Sequence, residues 1–392
     1  MARSKPVILK DRQFLTRQDA ITNFRSMLSR YPANSVVSEI DAVALEALLM
    51  RHPECTEKVG SGIHHFEVID ADKARLDQMI ASMSNDFSHL KALIKTLEHT
   101  IQCADKNVRI RAHYLPFRNG KPCTGELLDT IRGYICNFAM SRSEIEQVHR
   151  NAVSLSPQQT MIAYNKLRDD AADLFIKAQK TTNRNGECGE LILYLLIEWI
   201  LEAPQILAKM SLKTNGQMPV HGSDGIHIKY DPTTDGLIFF WGEAKLHATI
   251  SGAMSSAVSS VASTLRYDKL KEDINLVRRH ISFSGLSPEG QTKIIEFLDP
   301  LNQKYQKKTD ASACLIGFDF DGFGKLKSCD LGTLEVRFTE LLKEALESAA
   351  VSLASSLDAS GISHHRMEVF FIPVPSVEDL RTEFQNRIGW KT

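Results

Sequence analysis

Residues 222–247 read GSDGIHIKYDPTTDGLIFFWGEAKLH and bring Asp224, Glu243 and Lys245 into one short stretch. Two carboxylates can hold a divalent cation and leave positions open for water and a phosphate oxygen. A neighbouring ammonium can orient that water, contact the phosphate, or offset negative charge. This is the smallest equipment for cutting a phosphodiester. Glu243 and Lys245 are two apart, so on a strand they share a face. The carbonyl of Ala244, between them, is a further candidate ligand. A fourth participant is sought on the preceding helix. There Glu190 and Glu187 lie three apart on one side, flanked by Gly186 and Gly189, which would let backbone or substrate approach. Glu190 is preferred because the apolar run LILYLLIEWI begins directly after it. Glu187 fits the role of a partner to the helix dipole.

The turn Asp231-Pro232-Thr233-Thr234-Asp235-Gly236 is rich in turn formers, so the two halves of the stretch are expected to pair as a hairpin. LIFFWGEAKL is largely apolar and reads as a central strand, where charge is costly unless employed. Around it the periodicity predicts helices over 126–138, 142–151, 159–180 and 187–201, then 250–265, 266–279, 292–307 and 331–357. Strands are expected over 107–116, 311–319 and 366–374. The order of late strands and helices predicts an α/β fold: a mixed central sheet flanked by helices. Residues 1–104 read as a separate, mainly helical accessory module, with helices over 17–30, 41–51 and 70–99 and one hairpin.

Composition is that of an ordinary globular chain, 43% hydrophobic and 24% charged, with ample material for a core. The net charge of −1 neither supports nor excludes DNA. A nucleic-acid binder of this balance needs a local basic surface or a partner that supplies one. Cys55, Cys103, Cys123, Cys136, Cys188, Cys314 and Cys329 are scattered and odd in number, with no C-x-x-C pair. That argues against a disulfide framework and a zinc knuckle, and for a reducing compartment. Residues 1–14 hold no apolar stretch of signal-peptide length. The most apolar helix contains Glu198 and is too short to span a bilayer. The expectation is a soluble cytoplasmic protein without membrane attachment.

Several other groups invite a functional reading and are better explained structurally. His221, His227 and His247 lie near the proposed site, but alternation puts Asp224 and His227 on opposite faces. The tandem pairs His64-His65 and His364-His365 diverge in extended chain. Cys188, at a helix start, has no matching histidine. The serines 256, 259, 260 and 263 of ISGAMSSAVSSVASTL could bond phosphate, but close helix–sheet packing accounts for small residues equally. The basic clusters at 278–280 and 304–308 could touch a DNA backbone, yet solvated helix ends explain them as well.

The set Glu190, Asp224, Glu243-Ala244-Lys245, in the order helix, hairpin, helix, strand, resembles the PD-(D/E)XK nuclease superfamily. Ser223 stands where the formal motif has proline; only the carboxylate that follows is needed chemically. ECGELILYLLIE, GSDGIHI, WGEAKLH and VFFIPVPSVEDL are similar to HamA, the nuclease subunit of the Hachiman anti-phage system, and its relatives. That likeness runs over 105–392. HPECTEKVGSGIHHFEV, within 1–104, resembles small domains of the plastid DCL type, found beside nucleases and polymerases.

The resemblance implies a restriction-endonuclease-like core and a DNA nuclease dependent on Mg²⁺ or Mn²⁺, the effector of a bacterial defence complex. Asp224, Glu243 and Lys245 would be catalytic with Glu190 assisting, and Asp224, Glu243 and Glu190 would ligate the metal. The implied partners are DNA and a superfamily-2 helicase of the HamB kind. No G-x-x-x-x-G-K-[ST] loop occurs here, so ATP hydrolysis would come from another chain. Two alternatives stay open: a catalytically silent subunit that senses DNA or scaffolds the helicase, and a repair or restriction nuclease of the same fold.

Overall fold

The computed structural model describes residues 7–9, 12–32, 35–51, 63–64, 66–68, 71–182, 186–213 and 223–390. Most of the DCL-like stretch, with Cys55 and His65, lies outside them, as do His221 and Gly222. The chain divides into two compact units, Met1–Gln78 and Met79–Thr392.

The first unit is smaller and holds more strand than its sequence predicts. Val7–Leu9 and Arg12–Phe14 pair antiparallel, as do Ser35–Val36 and Glu67–Val68. The helix Arg17–Leu28 opens on a capping box between Thr16 and Asp19. Leu9, Phe24, Met27 and Ala44 form its core, the last of them on the helix Glu39–Leu49.

The second unit is built on a seven-stranded mixed sheet. In spatial order its strands are Lys95–Thr96, Val108–Tyr114, Met367–Val374, Lys308–Asp319, Gly236–His247, Gly225–Asp231 and Gln205–Leu207. Four consecutive strands, from Val108–Tyr114 to Gly236–His247, run parallel, and the remaining pairs are antiparallel. Parallel strands covered on both faces read as continuous apolar runs, and Met367–Val374 is buried at every position. On one face the helices Glu187–Ile200, Pro157–Thr182, Ile135–Ala139 and Val377–Arg387 pack through residues such as Leu191, Leu195, Phe175 and Phe384. On the other, Ile250–Thr264 and Leu334–Ala359 pack through Ala253, Ala257, Phe338 and Leu346. The expected α/β class, a mixed sheet between helices, is the one observed.

The expected hairpin forms. Gly225–Asp231 pairs with Gly236–His247 from Asp231↔Gly236 to Gly225↔Gly242. Its turn is held by Asp231, which accepts from Thr233 N–H (3.0 Å) and the Thr234 hydroxyl (2.9 Å). The second strand lies inside the sheet, with Lys308–Asp319 along its other edge.

The helix expected over 70–99 stops at Ala81. Asn85, in the polar turn that follows, donates to buried Glu198 (2.9 Å), and Lys95–Thr96 then joins the sheet. The sheet-bearing unit thus begins well before residue 105, because an edge strand and the core residues Phe87, Leu90 and Ile94 come from this segment. The sequence reading did not anticipate the strand Gln205–Leu207 or the helix Val377–Arg387.

One close approach fixes the helix that carries Glu190. A Cβ on Gly189 would meet Leu246 Cδ1 at 2.0 Å, and Leu246 is itself buried in the core layer that includes Leu191 and Leu315. Gly189→Ala is therefore expected to overpack this contact and lower stability by about 1–3 kcal/mol, measurable as a reduced urea midpoint with an unchanged m-value.

Candidate active site

The hairpin ladder sets the geometry. Its last pair is Gly225↔Gly242, and Asp224 lies just beyond it. Asp224 N–H still donates to the Gly242 carbonyl at 2.7 Å. Beyond that point the longer strand runs on without its antiparallel neighbour. There the Asp224 side chain replaces the missing backbone: its Oδ2 accepts from Ala244 N–H at 2.8 Å. The N–H and C=O of one strand residue point the same way, so the Ala244 carbonyl faces this open edge too.

Glu243 is 7% exposed. It sits beside buried Cys314 on the parallel neighbour, and the Ser260 hydroxyl donates to it from the helix above. Burial and the nearby charge of Asp224 push its carboxyl up to about 7, against the pull of Lys245. Lys245, half-buried on the same face, donates directly to Glu243 Oε1. Burial works against its charge, but Glu243, Asp224 and Glu190 outweigh that and raise it above the ordinary lysine value. Two carboxylates forced together, with one ammonium between them and solvent, form an electrostatically loaded pocket.

The HamA family profile matches residues 91–388. The chain belongs to the HamA family. HamA is the Hachiman defence protein, so this is a defence-associated chain. A second profile, described as a protein of unknown function (DUF3223), matches residues 25–77. Among solved structures, an uncharacterized protein from Rhodospirillum rubrum is 38% identical over 18% of this chain and 69% of its own, with a TM-score of 0.17. No curated protein matches.

In this HamA family member Glu190 approaches from the opposite face. It lines a crevice with Asp224, Gly225, Leu193, Tyr194 and His227, too tight to admit water. Among the described residues no three His, Cys, Asp or Glu side chains converge as a metal-holding group. Glu190 reaches Asp224 from the helix side of the sheet, while Glu243 and Lys245 project from the other.

The remaining expectations resolve by burial. His227 is a structural histidine: it is buried, its Nδ1 bonds the Ala203 carbonyl at 2.9 Å, and burial lowers its pKa to about 3. His247 is exposed at the strand end, and its pKa is lowered by burial of the ring and by Arg381 and Lys245. Cys188 is a buried thiol pushed up to about 12 by burial, the opposite of a nucleophile. Of the four serines, Ser260 has a site contact, but to Glu243. Lys304 and Lys307 are engaged by Glu296 (2.7 Å) and Asp235 (2.9 Å), and Lys308 by Asp310, whereas Arg278 and Arg279 are exposed. The six described cysteines are all free. Among the described residues no helix is long and apolar enough to cross a membrane.

Sequence reading missed Arg381. From the helix Val377–Arg387 it donates to the Leu246 carbonyl at 2.7 Å, placing a guanidinium beside His247 at the rim. Its signal was an arginine one turn into a helix that had not been recognised.

The raised Glu243 carboxyl has a signed consequence. A carboxyl whose folded pKa exceeds its unfolded one stabilises the fold fully below the ordinary carboxylate range. That contribution is lost as pH rises through about 7. Glu243→Gln should thus gain thermal stability relative to the parent on going from pH 5 to pH 8 without added metal. Parallel melting curves with a constant offset would show that the carboxyl is not raised.

Proposed function

We propose that this HamA family chain is a metal-dependent deoxyribonuclease, the effector of an anti-phage complex whose partner is a superfamily-2 helicase. One observation carries the reading: Asp224 is bonded to the interior strand that carries Glu243 and Lys245, where unemployed charge is costly. Family membership supplies the defence setting.

The donor set suits a hard divalent cation. Asp224 and Glu243 repel one another, and the Ala244 carbonyl faces the edge that Asp224 occupies, so the oxygens available are those that Mg²⁺ or Mn²⁺ accepts. When bound, the ion would lower the pKa of a water and draw charge from the phosphate. The chain's own residues do the rest. Ala244 N–H aims the Asp224 carboxylate. Ser260 and Lys245 orient Glu243. Lys245, protonated, offsets the negative charge that grows on the phosphate and can hold the attacking water by hydrogen bonding. Glu190, whose charge acts on Lys245 and which lines the crevice with Asp224, would complete the acidic group.

The test is conversion of supercoiled plasmid by the purified chain in Mg²⁺ or Mn²⁺, with EDTA as control. Glu243→Ala and Lys245→Ala should each reduce cleavage by about a hundredfold or more while retaining the parent's circular dichroism. A folded parent chain that never cuts, alone or with its partner, would sink the reading in favour of a silent DNA-sensing or scaffolding subunit.

The absence of a phosphate-cradling nucleotide loop predicts a division of labour. Cleavage by the isolated chain should be indifferent to ATP, and ATP dependence should appear only when a helicase encoded beside it is co-purified. ATP-stimulated cleavage by the chain alone would contradict the assignment.

A further inference from the structure

The residue before Asp224 is gripped by a buried ion pair. Lys209, at the start of the helix Lys209–Lys213, and Asp273, on the helix Tyr267–His280, are 2% and 1% exposed, with Lys209 Nζ 2.6 Å from Asp273 Oδ1. Lysine is almost never buried so completely unless paired. Both members also hold Ser223. Lys209 Nζ donates to the Ser223 carbonyl (2.8 Å) and hydroxyl (3.2 Å). Asp273 Oδ2 accepts from the Ser223 N–H (3.2 Å) and hydroxyl (3.0 Å). The donor and acceptor of one peptide residue are thus tied to opposite charges, each of the sign it requires.

Buried ion pairs are weak devices for stability, because desolvation offsets their attraction, and apolar replacements often serve as well. This pair does something an apolar pair cannot: it fixes the main chain on both sides of Ser223, one bond from the Asp224 amide. Proline in the formal motif would restrict the backbone here through its ring; serine does not. We infer that Lys209 and Asp273 are positioning residues that hold the Asp224 carboxylate in place on the Ala244 N–H, beside Glu243, taking over the restraint that proline would give. The inference rests on the reading of Asp224 as a working carboxylate.

The variants are Lys209→Met/Asp273→Asn, which neutralises the pair while keeping an acceptor for Ser223 N–H, and Ser223→Ala, which leaves both charges and both backbone ties. Two measurements separate the claims. The first, independent of activity, is hydrogen exchange at the Asp224 and Ala244 amides, whose bonds report the carboxylate's placement. The double variant should exchange faster there, with the rest of the sheet protected as before, and Ser223→Ala should match the parent. The second is plasmid cleavage against Mg²⁺ concentration. Misplacement on the ångström scale costs about a hundredfold in rate, and half-saturating Mg²⁺ should rise with it; a merely structural pair would change yield but leave the half-saturation of the folded fraction unchanged. Unaltered exchange at both amides in the folded double variant, with unaltered Mg²⁺ dependence, overturns the inference. Faster exchange in a chain whose parent never cleaves supports the positioning role and counts only against the nuclease reading. Should the double variant not fold, Lys209→Arg, which keeps charge and donors, is compared by the same exchange measurement: parent-like protection at the two amides supports the inference, and lost protection with the ion pair intact opposes it.

Discussion

Everything at this site depends on the register of one antiparallel ladder. The pairing ends at Gly225↔Gly242, and Asp224 at its end is bonded to Gly242 and Ala244, near enough for its charge to act on Glu243; a slip of one residue would turn every side chain of a strand to the other side of the sheet. Two like charges held so close resist each other, and the structure answers with several neighbours. Ala244 N–H and Lys245 take up much of the negative charge, and Ser260 takes one carboxylate oxygen. The resulting pocket is tense by construction, since charge sits where the fold would otherwise place apolar side chains.

The surroundings explain why that tension is sustained. The strand carrying Glu243 and Lys245 has neighbours on both edges and helices on both faces. Ala244 and Leu246 face the helix Glu187–Ile200, so alternating residues of one strand serve two different surfaces: one set packs and the other is charged. Small residues make this compatible with close helices. Gly189 admits Leu246, while Ala253 and Ala257 bring the helix Ile250–Thr264 down over the sheet until Ser260 can reach Glu243. The stripe of alanine and serine there is mainly a spacing device, with one polar contact set into it.

Much of this was legible in the chain because it is local. The hairpin announces itself by turn formers between apolar runs, and the shared face of Glu243 and Lys245 follows from strand periodicity alone. Bringing Asp224 near Glu243 required only the right turn length. What remained hidden is non-local. Glu190 was placed by helical spacing, but spacing does not say on which side of a sheet a helix lies. Lys209 and Asp273 are sixty-four positions apart, with no pattern to join them. The helix expected over 70–99 failed because a polar turn at 84–86 outweighed apolar spacing, and Asn85 was wanted elsewhere, by Glu198. Arg381 was lost with its helix, whose short apolar period lies behind two prolines.

The segment between the two recognisable modules bears on how this protein can be dissected. Residues 79–104 read as the tail of an appendage, yet Leu90 and Ile94 are sealed in one core layer and Leu97, Ile101 and Cys103 in the other. Lys95–Thr96 closes the flank of Val108–Tyr114, a strand whose other side is the parallel stack. A chain trimmed at residue 104 would leave that flank bare, with backbone amides ready to recruit a second molecule, and would strip greasy plugs from both layers. Shortening from the left thus trades a closed sheet for a sticky one unless the cut falls ahead of Met79.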